Sequence, residues 1–187
     1  RKAVVDVRGR GNHGNGPQFF CKGLGQPVCA ADMAGQFLGE PDSFKKISVG
    51  FPITENADVW AMQMTLANEN VDMEAVRPMN EALGNMETLF ASIQRGNPDL
   101  TTIYIGTREG LMISFDPNSG LTEASGAPVY YEYRDSEWYK NAKGQTAPLF
   151  TDTYLDGAGR GLTITCYAPI YDNNGNFLGS LGMDFLQ

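Results

Sequence analysis

Two runs near the C-terminus, Leu162–Tyr171 and Asn176–Leu186, alternate in character with a period of two around Asp172-Asn173-Asn174-Gly175. Alternation puts successive side chains on opposite faces and an Asn/Gly turn joins two such strands, so the pair reads as a β-hairpin, with the same facing for a turn of two or four residues. One face carries Leu162, Ile164, Cys166, Ala168 and Ile170 with Phe177, Leu181, Met183 and Phe185, an apolar layer suited to a core. The other carries Thr163, Thr165 and Tyr167 beside Leu178, Ser180, Gly182 and Asp184, so a carboxylate ends a row of mostly small residues. Small residues leave room in front of the sheet. If that face is covered, Asp184 is buried with a partner or points into a cavity, because an unpaired buried carboxylate is costly.

Upstream, Thr101–Gly106 and Leu111–Phe115 flank the turn Arg108-Glu109-Gly110 and read as a second hairpin. Asp116–Pro128 reads as a Gly/Ser/Pro loop, Val129–Arg134 as short and extended, Ser136–Ala142 as a helical turn, and Pro148–Tyr154 as a strand. Before these, Val76, Met79, Leu83, Met86, Phe90 and Ile93 recur at alternate spacings of three and four. That spacing predicts one long amphipathic helix over about 72–95, kinked near Pro78 and stopped by Gly96-Asn97-Pro98. Its seam can pack on a sheet or on a second copy of the chain. Trp60, Met64, Ala67 and Val71 extend a helical pattern back to Glu55. Residues 1–55, rich in Gly and Pro, read as an irregular N-terminal segment of unknown role. The order of a long helix followed by a mostly antiparallel sheet is an α+β layout, with the principal domain over 56–187 and its sheet over 101–186.

Composition narrows the function classes. With 14 Lys+Arg against 22 Asp+Glu the net charge is −8, and the basic residues are scattered, so no nucleic-acid partner is expected. The longest apolar stretches fall well short of the roughly 20 residues that cross a bilayer, so any membrane attachment is expected through segments outside this chain. Cys21 and Cys29 flank the loop Lys22–Val28 and suit a disulfide in an oxidising compartment. The three cysteines and His13 have no zinc-site spacing, so neither metal nor cofactor is expected. Gly9-Arg10-Gly11-Asn12-His13-Gly14 matches GxGxxG, but another glycine-rich loop follows where a phosphate-binding helix should begin. Asp172-Asn173-Asn174-Gly175 lacks the closing glutamate of a calcium loop, since Met183 stands at the twelfth position. No serine lies in a GxSxG elbow, and enzyme chemistry finds no support.

The remaining constellation is aromatic and acidic. Tyr130, Tyr131, Tyr133, Trp138 and Tyr139 fall within ten residues, and Tyr154, Asp156 and Asp184 follow. Aromatic faces carry a negative quadrupole, so several rings beside carboxylates suit an ammonium group, whereas each ring taken alone is equally at home in a core.

Four blocks together carry a family resemblance: Tyr104 through Gly110, Tyr131 through Ala142, Thr151 through Asp156, and the closing hairpin with Gly175, Gly179, Gly182 and Asp184. From about Asp72 to Leu186 the chain resembles the membrane-distal module of double Cache sensor domains. The resemblance implies a PAS-like antiparallel sheet with a long N-terminal helix. It also implies an extracytoplasmic, non-enzymatic ligand-binding module of a bacterial signal-transduction receptor such as a chemoreceptor, excised from a membrane-anchored protein. In the amino-acid-sensing group of that family an Arg and a Trp hold the ligand carboxylate while tyrosines and aspartates hold its ammonium. Tyr131, Trp138, Tyr139, Tyr154, Asp156 and Asp184 match that pattern, with Asp184 the principal counter-ion. Ser136 stands where the carboxylate-binding arginine is expected, and Arg134, on the same side of an extended strand, is the candidate to replace it. Without that replacement the ammonium half survives alone, as in the amine-sensing branch. The ligand is therefore expected to be an amine or an amino acid. The alternatives are another small metabolite, or an oligomerising module with a vestigial pocket that forms a homodimer through the long helix.

Overall fold

The computed structural model describes residues 25–53, 59–117, 126–157 and 159–187. Cys21, His13 and the GxGxxG run lie outside the described residues, and with them the disulfide, zinc and nucleotide expectations.

Seven strands form one antiparallel sheet among the described residues: β1 (Trp60–Leu66), β2 (Leu100–Thr107), β3 (Leu111–Pro117), β4 (Leu149–Phe150), β5 (Tyr154–Leu155), β6 (Leu162–Tyr171) and β7 (Phe177–Leu186). The spatial order is β1-β3-β2-β7-β6-β4, with β5 also paired to β6. Both hairpins read from sequence are present, and the α+β class with an antiparallel sheet holds. Ile164, Cys166, Ala168 and Ile170 stand beside Leu181, Met183 and Phe185 in the core, joined by Ile103 and Ile105 of β2.

Among the described residues three helices cover that core face: α1 (Gly25–Gly39), α2 (Met73–Leu83) and α3 (Glu87–Gly96). Asp72 caps α2 by accepting from the backbone N–H groups of Glu74 and Ala75. The expected single helix is instead two helices joined by a 3-10 turn at Gly84–Met86, so the interruption falls beyond Pro78. A Cβ at Gly84 would overlap the Ile47 carbonyl, so the neighbouring chain passes there too closely for any other residue. Val76, Leu83, Met86, Phe90 and Ile93 are buried in the core of their own chain, so the seam is spent within the chain.

Two readings are corrected. Residues 25–39 are not irregular but form α1, which buries Ala30, Ala31, Ala34, Gly35 and Leu38 against β6 and β7. Pro27 sits within the first turn, where its missing N–H costs nothing. Residues 60–66 are a strand rather than a helix. Trp60, Met62, Met64 and Leu66 join the core while Gln63 and Thr65 lie on the opposite face, and the spacing of four between Trp60 and Met64 satisfies both periods. A third difference lies in the terminal hairpin. The register shifts between Ile170 and Tyr171, so Tyr171 pairs with Phe177 and Leu178 is the extra residue. A one-residue slip exchanges the faces: Leu178 packs on the core and Phe177 on the aromatic cluster opposite. Leu162, at the edge beside β5, is exposed rather than in the core layer.

Candidate functional site

The second face of the sheet carries Gln63 and Thr65 of β1, Thr102, Tyr104 and Gly106 of β2, Ser114 and Asp116 of β3, Thr163, Thr165 and Tyr167 of β6, and Ser180, Gly182 and Asp184 of β7. Gly106 and Gly182 shape it. A Cβ at Gly182 would overlap the Tyr104 ring, and one at Gly106 would lie 2.6 Å from the Tyr133 ring. The absence of side chains there lets Tyr104, Tyr133 and Trp138 lie down on the sheet. Trp138 packs against Tyr104 with ring centroids 4.7 Å apart. The buried Tyr133 hydroxyl donates to the Thr107 and Leu111 carbonyls and ties the 3-10 turn Tyr133–Asp135 to the β2–β3 turn. The short helix α4 (Glu137–Lys140) is held down by the Ser180 hydroxyl, which donates to the Trp138 carbonyl. Residues 129–131 run beside the end of β1, with Leu66 donating to the Val129 carbonyl and Tyr131 to that of Leu66.

Between this layer and the sheet lies a cavity of about 660 Å³. The sheet side presents Thr102, Tyr104, Asp116 and Asp184, and the opposite side Tyr130, Tyr131, Ser136, Trp138, Tyr154 and Arg160. Asp184 is 6% exposed. The hydroxyls of Tyr104 and Thr165 each donate to its Oδ1 at 2.7 Å, and that of Tyr154 lies 3.4 Å from the same oxygen. All three donors are neutral. Burial raises the Asp184 pKa, opposed by the Thr165 and Tyr104 hydrogen bonds and by Arg160. Burial and the Asp184 charge together push the Tyr154 hydroxyl up to about 12. Asp156 is held differently: Arg160 donates from Nε to its Oδ2 at 2.6 Å and also reaches Oδ1. The same guanidinium donates to the Thr102 hydroxyl at 2.8 Å and to the Thr101 carbonyl.

Of the candidate ligand contacts named with the family resemblance, Tyr131, Ser136, Trp138, Tyr154, Asp156 and Asp184 line the cavity and Tyr139 and Arg134 do not. Tyr139 is buried behind it, its ring 5.5 Å from that of Tyr133 and 5.8 Å from those of Trp138 and Phe177. Arg134 is turned away into a bidentate pair with Glu132, both bonds 2.6 Å, which holds the Glu132 carboxyl down at about 2. Position 136 offers a hydroxyl already engaged with Tyr131 at 2.8 Å. Sequence reading missed Tyr104, Thr102, Thr165, Asp116 and Arg160. Alternation along β2 and β3 marks Tyr104 and Asp116 as neighbours on one face, but their place beside Asp184 follows from the β2–β7 pairing, which no local pattern reveals. Arg160 sits in the Gly-rich stretch 157–161, which carries no periodic signal.

Residues 80–186 match the family model of the methyl-accepting chemotaxis protein-like, first PDC sensor domain. No curated protein matches the sequence. Among solved structures, the ligand-binding domain of the Campylobacter jejuni chemoreceptor Tlp3, in complex with 4-methylisoleucine, is 18% identical. The match covers 63% of this chain and 44% of that one, with a TM-score of 0.48. The ligand-binding domain of the Pseudomonas fluorescens chemoreceptor CtaA, in complex with L-serine, is 15% identical over 90% of this chain and 51% of that one, with a TM-score of 0.45. The chain thus spans about half the length of these domains.

Proposed function

The chain belongs to the family of first PDC sensor domains of methyl-accepting chemotaxis protein-like receptors, and we propose that it binds a small ammonium-bearing ligand in the cavity above β2, β3 and β7. In this reading it is the extracytoplasmic sensing module of a bacterial receptor, and no bond is made or broken. The observation that carries it is Asp184, a buried carboxylate on the cavity wall whose three donors are neutral hydroxyls converging on one oxygen. A buried carboxylate with no cation bonded to it is unfavourable, and an ammonium group supplies a charged donor in direct contact. Tyr131, Trp138 and Tyr154 add aromatic rings to the lining, and ring faces attract a cation.

Among ammonium compounds, amines fit better than amino acids. Arg134 faces away, Ser136 is bonded to Tyr131, and Arg160 already donates to Asp156, Thr101 and Thr102. A ligand carboxylate therefore finds no uncommitted guanidinium among the described residues that line the cavity. The amino-acid reading keeps one supporting observation, that Arg160 lines the cavity one strand away from Asp184. It requires a ligand carboxylate to compete with Asp156. The oligomerising alternative loses its expected surface, because the Val76–Ile93 seam is buried within the chain.

Signalling requires the ligand to favour one of two arrangements of the sheet and helices α2 and α3, since equal affinity for both shifts nothing. A thermal-shift panel of simple amines and the common amino acids tests the ligand class. Stabilisation by amines supports this reading, by amino acids alone moves the assignment to Arg160, and by neither overturns it.

A further inference from the structure

Asp116 is a second buried carboxylate on the same cavity wall, 6% exposed. It stands on β3, one step beyond the Ile103–Phe115 pair and hence beside Thr102, while Thr102 pairs with Asp184. Asp116, Thr102 and Asp184 therefore form one row across three strands, and the two carboxylates start from backbone positions two strand spacings, about 9–10 Å, apart. Among the described residues the donor to the Asp116 carboxylate is an uncharged amide, Gln63 Nε2 on Oδ1 at 2.5 Å. Among the described residues the one cation lining the cavity, Arg160, is paired with Asp156 instead. One cavity thus presents two carboxylates that, among the described residues, no cation bonds, with Tyr130, Tyr131 and Trp138 in the opposite lining.

Resting on the ammonium reading above, we propose that Asp116 is a specificity-determining second anchor, and that the ligand is a short linear diamine spanning from Asp184 to Asp116. The residues around Asp116 fit that role. Gln63 from β1 fixes one carboxylate oxygen, and the row in between is Thr102, whose hydroxyl accepts from Arg160, so the methylene groups of the ligand run beside that guanidinium. Among the described residues the charged groups acting on Asp116 are Arg160, which favours its charged form, and Asp184 and Asp156, which oppose it. Burial pushes the Asp116 carboxyl up to about 7, with Asp184 adding to the rise while Arg160 and Gln63 oppose it. A second ammonium group reverses that rise and expels a proton.

Isothermal titration of the purified chain at pH 8 with putrescine and cadaverine, against butylamine and pentylamine, tests the proposal. The diamines should bind about tenfold tighter or more, the lower end of what a hydrogen bond to a charged group contributes. Asp116→Asn, which keeps the shape and the Gln63 contact, should bring the diamines down to the monoamine level. Near pH 6, diamine binding should release an extra proton, read from the dependence of the heat on the buffer, and that release should vanish in Asp116→Asn. Equal affinity for the two amine types, or a diamine preference that survives Asp116→Asn, overturns the second anchor while leaving the ammonium site standing. Failure of every amine to bind overturns both.

Discussion

The Tyr104 hydroxyl donates to Asp184 Oδ1 at 2.7 Å across the β2–β7 pair, with the Tyr104 ring laid over Gly182. One bond thus depends on a carboxylate, a phenol and a missing side chain. Gly182→Ala puts a methyl group into the ring, and overpacking of this kind costs about 1–3 kcal/mol. The expected outcome is a lower melting temperature together with a weakened response to amines. A variant that melts lower but binds normally would show that the Tyr104–Asp184 contact supports the fold alone.

Titration of Asp116 makes stability depend on pH. Its carboxyl is raised from an ordinary value near 3.8 to about 7, so between those values the folded chain binds a proton that the unfolded chain has released. Stability from this group is therefore present below about pH 4 and is lost as pH rises through 7. Denaturant titrations of the free chain between pH 5 and 8 should show Asp116→Asn gaining on the wild type as pH rises. Parallel curves for the two proteins would contradict the assignment.

Tyr139 and Tyr154 separate ring packing from ligand contact. Tyr139→Phe keeps the ring contacts with Tyr133, Trp138 and Phe177, and amine affinity should be unchanged because Tyr139 does not line the cavity. Tyr154→Phe removes the hydroxyl bonded to Thr165 at 2.7 Å and facing Asp184, and amine affinity should fall. Titration calorimetry on the two variants checks both.

Arg134→Ala should leave amine and amino-acid binding untouched, because the guanidinium is engaged with Glu132 outside the cavity. The pair is about one-third exposed, so its loss should cost no more than about 1 kcal/mol. The pairing lowers the Glu132 carboxyl to about 2 from an ordinary 4.5, so its contribution is present above pH 4.5 and disappears as pH falls toward 2. Loss of ligand response in Arg134→Ala would reinstate the sequence-based role of this arginine.

Local pattern carried the terminal hairpin, the 101–115 hairpin and the Val76–Ile93 face, because each expresses one unambiguous period. It failed where two periods coincide, as in Trp60–Leu66, and where glycine and proline mask a helix, as in Gly25–Gly39, whose Ala30, Ala34 and Leu38 keep the spacing of four. The bulge at Leu178 exchanged Phe177 and Leu178 between faces, and a backbone irregularity of this kind leaves no mark on an alternating pattern. For the site, Asp184 was legible as a carboxylate in a row of small residues. Its surroundings were not, since Tyr104, Thr165 and Asp116 reach it only through strand pairing, and Arg160 through the fold of a glycine-rich loop.

The central claim is that Asp184 is the counter-ion for a bound ammonium group. The most direct test is a thermal-shift titration of the wild type and Asp184→Asn with putrescine, butylamine and the common amino acids. At a hundredfold excess over Kd, a ligand that binds only the folded chain adds about 2.7 kcal/mol of stability. The account predicts a rise in melting temperature with the amines for the wild type and none for Asp184→Asn, which should itself melt cooperatively. An equal rise in both proteins, or no rise with any amine, would contradict it.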